Sequence, residues 1–154
     1  MSFSSFSFPS EEQIISLADR LRPSDRRELL ASHVKQDPVK CLKLFVKHSC
    51  RLCVLTTEEG TAAIGGIAAD RTCPGAACVW LLTATAVEKY PKTFFKICRR
   101  EVTSYLEQYD VLYNWVDARY TQAVRFISRL GGEFDATYRL CAGHKFLFFT
   151  FRRK

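Results

Sequence analysis

A chain of 154 residues, 47% of them hydrophobic and 12 of them Phe, is long enough for one stable core and too apolar for a disordered segment. It carries 23 Lys and Arg against 16 Asp and Glu, a formal charge of +7; that charge permits an acidic partner, nucleic acid included, but the cations are scattered and no nucleic-acid motif accompanies them. No apolar run approaches the ~20 residues that span a bilayer, and "MSFSSFSFPS" lacks the basic and apolar regions of a secretory signal, so a reducing cytoplasm is the expected setting.

Residues 1 to 9 read as an extended arm whose Phe3, Phe6 and Phe8 pack on their own domain or dock onto a partner. Residues 10 to 154 read as one domain. "SEEQIISLADR" predicts a helix capped by Ser10, with Gln13 completing a capping box. "PSDRRELLASHV" predicts a second, with Asp25 as its cap, Glu28 as the reciprocal partner, and Leu29, Leu30 and Val34 buried. In "DPVKCLKLFVKHS", Asp37 caps a third helix and Pro38 takes its first position.

The period then changes. "RLCVLTTEEGTAAIGGIAAD" predicts two strands joined at Glu59 and Gly60, with Gly65 and Gly66 marking a bulge or a close backbone approach. "CVWLLTA", residues 78 to 84, is a continuous apolar run and predicts a central strand buried on both faces. Residues 91 to 109 predict a long amphipathic helix opened by Pro91, with Phe94, Ile97 or Cys98, Val102, Tyr105 and Leu106 as its apolar stripe. "VLYNWVDA" is another strand. "AVRFISRLGGEF" lies in the last helix, with Ala123, Phe126, Ile127 and Leu130 inward and Gly131 or Gly132 as its left-handed stop. A hairpin turning at Ala142 and Gly143 closes the chain.

Seven cysteines, an odd number, argue against a disulfide framework. Cys50, Cys53, Cys73 and Cys78 offer four thiols to zinc, but a spacing of three on a strand puts the first two on opposite faces. Small buried hydrophobes are the preferred account, and no metal is expected.

The order of elements resembles the GNAT acetyltransferase fold from about residue 20 onward. The residues that carry the likeness are the "P-x-D" helix entry at 23 to 25, the "AIGGIAA" strand after a hairpin, and the "A-x-x-F-x-x-x-L-G" ending at 123 to 131. It implies an α/β (α+β type) domain with a mixed central sheet and helices on both faces. A narrower likeness, strongest from residue 78 to 151, lies in "FFKICRREVTSYLEQYDVLYNWVDARYTQAVRFISRLGGEF" and "GHKFLFFTF". This block resembles the GNAT-like internal virion proteins of short-tailed bacteriophages.

For acetyl transfer, the resemblance implies three features. The central strand bonds the pantetheine arm of acetyl-CoA through its backbone, which points to Leu82 and Thr83. The following segment cradles the pyrophosphate on glycine N–H groups. Here that segment is "TATAVEKYPKTFFK": it holds no glycine, Glu88 is acidic, and Pro91 lacks an N–H. An Asn opens the last helix and a Tyr proton donor lies seven residues on; Tyr120 and Ile127 hold those places, and isoleucine donates no proton. Glu101, Asp117 and His144 are possible bases without a supporting motif, and no Cys–His–acid spacing marks a nucleophile. The expectation is therefore a virion-associated structural or ejected accessory protein that does not catalyse. It would work in the virion and the host cytoplasm, with portal, internal core, capsid or a host protein as partner. The alternative is an acetyl-CoA-dependent N-acetyltransferase acting on a host protein or a small amine.

Overall fold

The computed structural model describes residues 1–5, 8–33 and 37–154. They fall into two compact units, one of residues 1–68 and 80–91, the other of residues 69–79 and 92–154.

In the first unit, three helices pack on strands. In α1 (Glu11–Asp19), the Ser10 hydroxyl accepts the Gln13 N–H, and the Gln13 side chain accepts the Ser10 N–H in return, so the predicted capping box forms. In α3 (Pro38–His48), Asp37 accepts the Lys40 N–H at 2.9 Å, and Lys47 and His48 close the helix where its dipole favours cations. The helix between them, α2 (Pro23–Ser32), departs from expectation. It begins at Pro23 after Arg22, with no side-chain cap, so Asp25 lies inside the first turn and is buried. A proline already fixed at the first position starts the helix three residues earlier than the Asp–Glu pattern suggests. Leu29 is buried as expected, Leu30 is exposed, and Val34 lies outside the described residues.

Ile14, Leu17, Leu29, Leu42 and Val46 from the helices close over Leu52, Val54, Ile64 and Leu82 from the sheet. Trp80 packs on Phe45, and its indole N–H donates to the Ser49 hydroxyl at 2.8 Å.

The strands of this unit begin with β1 (Ser2–Ser5), which pairs antiparallel with β2 (Arg51–Thr57). The start of the expected arm is thus an edge strand on its own chain. Phe8 is exposed, and Phe6 lies outside the described residues. A hairpin joins β2 to β3 (Gly60–Ala69). Its register shift falls at Leu55 and Thr56 rather than at the glycine pair. What Gly66 supplies is close approach: a Cβ there would stand 2.1 Å from the Arg51 carbonyl oxygen.

Strand β4 (Ala76–Thr83) starts in the second unit and ends in the first. The second unit continues with α4 (Pro91–Tyr105), β5 (Val111–Asp117), α5 (Thr121–Arg129), β6 (Glu133–Cys141) and β7 (His144–Arg152). β4 runs parallel to β5 from Ala76↔Val111 to Cys78↔Tyr113, and β5 pairs antiparallel with β7 along its whole length. The β6–β7 hairpin turns at Ala142 and Gly143, as the sequence predicts. Phe94 of α4 stacks on Phe126 of α5, and Phe149 and Phe151 of β7 are buried. Gly131 ends α5 with φ of +100°, a left-handed stop that costs glycine nothing. On the sheet, Trp115 packs against Phe148 under the Arg139 guanidinium.

The strand order is β1-β2-β3-β4-β5-β7-β6, a mixed seven-stranded sheet in an α/β domain, the class expected from the sequence.

Candidate functional site

The far end of β4 holds both positions that the resemblance assigns to a cofactor. The Ala84 N–H donates to the Ala62 carbonyl at 2.8 Å. Backbone groups alternate along a strand, so Leu82 also turns its N–H and C=O toward β3, while Leu81 and Thr83 turn theirs to the opposite edge. Leu82 is buried in the helix–sheet core.

Thr83 is 1% exposed, and residues 22–25 meet its edge. The Arg22 N–H donates to the Thr83 carbonyl at 3.0 Å. The Thr83 N–H donates to Asp25 Oδ2 at 2.8 Å, and the Thr83 hydroxyl donates to the same oxygen. Arg22 Nε donates to the Thr83 hydroxyl at 2.7 Å and stands 3.8 Å from Asp25 Oδ2. A bridge between Leu21 and Ala84 extends this contact along the strand. Sequence reasoning missed Arg22 and Asp25 as partners of this strand. The available signal was Pro23: with the helix starting there, Asp25 is not needed as a cap and its carboxylate has to be satisfied elsewhere.

The segment after β4 forms a 3-10 turn, Thr85–Lys89, with Ala86 and Val87 buried. Glu88 lies 3.6 Å from Arg22 Nη1. Lys89 is paired with Glu59, whose hydrogen bond holds the ammonium above its ordinary pKa. The Tyr90 hydroxyl donates to Glu58 at 3.0 Å, and that bond raises the phenol's pKa. The segment therefore offers a carboxylate, Glu88, and a proline where a pyrophosphate needs N–H groups. With Thr83 already bonded on every polar atom, the residues as the chain holds them do not fit coenzyme A.

Among the second unit's candidates, the structure brings Asp117 and His144 together through Arg119. Asp117 is fully buried at the end of β5 and accepts Arg119 Nε at 3.0 Å and Nη2 at 2.7 Å. The Arg119 backbone N–H caps the same carboxylate at 2.9 Å. Arg119 Nη1 reaches His144 Nε2 at 3.2 Å; a guanidinium only donates, so this ring nitrogen accepts. The carboxylate is neutralised and the imidazole lone pair is engaged, which suits neither to act as a general base. Glu101 is buried in α4, away from this cluster in sequence and element. Tyr120 precedes α5 and is buried, its N–H bonded to the Asp117 carbonyl at 2.9 Å. Ile127 is buried, and a Cβ at Gly132 would meet its side chain at 2.5 Å.

Asn114, which carried no expectation, stands where the parallel ladder ends. Its Nδ2 donates to the Val79 carbonyl at 2.6 Å, and its Oδ1 accepts the Trp115 N–H at 2.7 Å. A side-chain amide thus takes a carbonyl that a continuing ladder would use.

On the outer side of α4, Lys96, Arg99, Arg100, Thr103, Ser104 and Glu107 line a shallow depression of about 370 Å³. Its Lys96, Arg99 and Arg100 are one of the two densest basic groups of the sequence, the other being Arg152, Arg153 and Lys154. Among the described residues, no three His, Cys, Asp or Glu side chains stand together as a metal site, and none of the seven cysteines is in a disulfide. Among the same residues, no helix is long and apolar enough to cross a membrane.

No protein-family model and no curated protein matches the sequence. Solved structures match along nearly the whole chain. An acetyltransferase from Bacillus subtilis in complex with CoA is 6% identical with a TM-score of 0.64, over 99% of this chain and 98% of that one. The spermidine N-acetyltransferase of Vibrio cholerae, in complex with CoA and spermine, is 10% identical with a TM-score of 0.67, over 97% and 95%. The ribosomal-protein-alanine N-acetyltransferase of Brucella melitensis is 9% identical with a TM-score of 0.66, over 99% and 100%. Identities this low establish a shared fold alone: the chain has the GNAT acetyltransferase fold.

Proposed function

We propose that this chain is an acetyl-CoA-dependent N-acetyltransferase acting on a host protein or a small amine. The observation that carries the reading is the GNAT fold itself, matched over 97% of the chain or more by acetyltransferases, two of them in complex with CoA. Fold alone does not fix function, and the β4 edge at Thr83 is occupied by Arg22 and Asp25. Isothermal titration with acetyl-CoA tests the reading. Micromolar binding is expected; absence of binding at millimolar ligand overturns it.

A second reading is favoured by Ile127 in the proton donor's place and by a segment without glycine at residues 83–96. It takes the chain as a virion-associated accessory protein of a short-tailed phage, on the same fold and without acetyl transfer. The sequence resemblance at residues 78 to 151 supports it, whereas the matched structures named above are acetyltransferases and support the first. Its partners would be portal, internal core or capsid proteins, or a host protein, and its place the virion and the host cytoplasm. Mass spectrometry of purified particles decides this one: complete absence of the chain from virions removes it.

A further inference from the structure

The two units divide the charge unevenly. The second holds 13 of the 23 Lys and Arg against 7 of the 16 Asp and Glu, which leaves the first nearly balanced at 10 against 9. Within the second unit the excess has a place. α4 and α5 lie side by side, joined by Phe126, whose ring stacks on Phe94 at 5.4 Å and meets Phe95 edge-on at 6.0 Å. Phe94, Ile97 and Tyr105 of α4 and Ile127 of α5 are buried. The cations are exposed: Lys96, Arg99 and Arg100 on α4, Arg125 and Arg129 on α5. Lys96 and Arg100 stand one helical turn apart, as do Arg125 and Arg129, a rise of ~6 Å in each pair. Among the described residues, none of these five cations forms an ion pair with a carboxylate. Glu101 is buried in α4, while Glu107 and Glu133 lie past the ends of the two helices. Like charges one turn apart repel, and an anion laid across them relieves that cost. We propose that the outer face of α4 and α5 binds duplex DNA through its phosphates.

The chemistry of the face selects this partner. None of the exposed large hydrophobic side chains among the described residues lies on either helix. A membrane surface takes up a helix through apolar side chains that insert. A protein partner is held by an aromatic or aliphatic anchor at the centre of its interface. A single strand of nucleic acid stacks its bases on exposed rings. Duplex DNA asks for none of these, because its bases are already stacked and it presents one phosphate charge per ~1.7 Å of its axis. The major groove of DNA, ~12 Å wide, admits an α-helix between its phosphate rows, whereas that of duplex RNA is deep and narrow. The proposal is independent of acetyl transfer and holds whether or not the chain catalyses.

Fluorescence anisotropy of the full chain with a short labelled DNA duplex tests it, across a salt series from about 50 to about 200 mM. Expected is micromolar binding whose log K falls linearly with log salt, with a slope of about −4.5 if all five cations meet phosphates. Arg99→Gln with Arg125→Gln removes one cation from each helix and is expected to make the slope shallower by about 2. Lys40→Gln with Lys47→Gln removes the same charge from exposed positions of α3, in the first unit, and is expected to leave the slope unchanged. Should the first double variant not fold, Arg100→Gln with Arg129→Gln, also exposed, replaces it. No binding at the lowest salt overturns the proposal. So do equal changes of slope in the α4–α5 and α3 variants, which would mean that net charge alone attracts the duplex. Binding as tight to single-stranded DNA, to duplex RNA or to polyglutamate overturns the choice of partner.

Discussion

Tyr113 and Asp70 meet across 43 positions of sequence, and their bond shows how one side chain is set by its neighbours. The Tyr113 hydroxyl donates to Asp70 Oδ2 at 2.7 Å, while Oδ1 accepts the Thr72 N–H at 2.9 Å and its hydroxyl at 2.8 Å. These bonds, that from Tyr113 foremost, hold the Asp70 carboxyl below its ordinary value of 3.8; burial first, then Asp70, pushes the phenol up. A carboxyl depressed in the folded state contributes stability above its unfolded value and loses it as pH falls through the folded value. Tyr113→Phe is therefore expected to unfold at lower urea than the wild type at pH 7, with the gap closing at acid pH below 3.8. A gap of constant size down to pH ~2, where carboxyls are protonated, would show that the hydroxyl acts by packing alone. Neither residue drew notice in the sequence. Each is an ordinary polar residue on its own strand or turn, and only sheet pairing brings them together.

Among elements, the β2–β3 hairpin makes the sharpest demand on sequence. Gly66 pairs with Leu52, and the Arg51 carbonyl oxygen would lie 2.1 Å from any added Cβ. That oxygen belongs to backbone and cannot swing aside as a side chain does. Gly66→Ala is expected to cost about 3 kcal/mol or more. Gly131→Ala has nothing within 4 Å and pays only for its left-handed φ of +100°, about 1 kcal/mol. Denaturant unfolding of the two variants ranks them, and equal costs would falsify the close-approach account. The sequence indicated a bulge or a close approach at this glycine pair, and close approach is what the pair supplies. Its helix caps were legible where they are local: Ser10 with Gln13, and Asp37 with Lys40, lie three residues apart. Asp25 shows the same local pattern, but Thr83, 58 residues away, claims its carboxylate. A reading by spacing has no access to such a competitor.

At the scale of the whole molecule, the order of strands and helices carried the fold, because hydrophobic period and glycine placement record which face each element buries. The candidate edge at the end of β4 was less legible. The positions at Leu82 and Thr83 were named from family likeness, yet strand alternation turns one toward β3, and a helix start far upstream covers the other. Pairing and packing decide this, and neither is written at the position itself.

The two tryptophans, the full complement of the chain, fall one in each unit: Trp80 beside Ser49 and Phe45, Trp115 beneath Arg139. The protein thus carries two native fluorophores that report separately. Trp80→Phe and Trp115→Phe each leave one emitter, so a pair of urea melts gives one trace per unit. Because β4 supplies backbone to both, neither unit keeps its own strand when the other comes apart, and the two traces are expected to share one midpoint. Separate midpoints would mean that a covalently continuous strand can melt at one end while its other end holds.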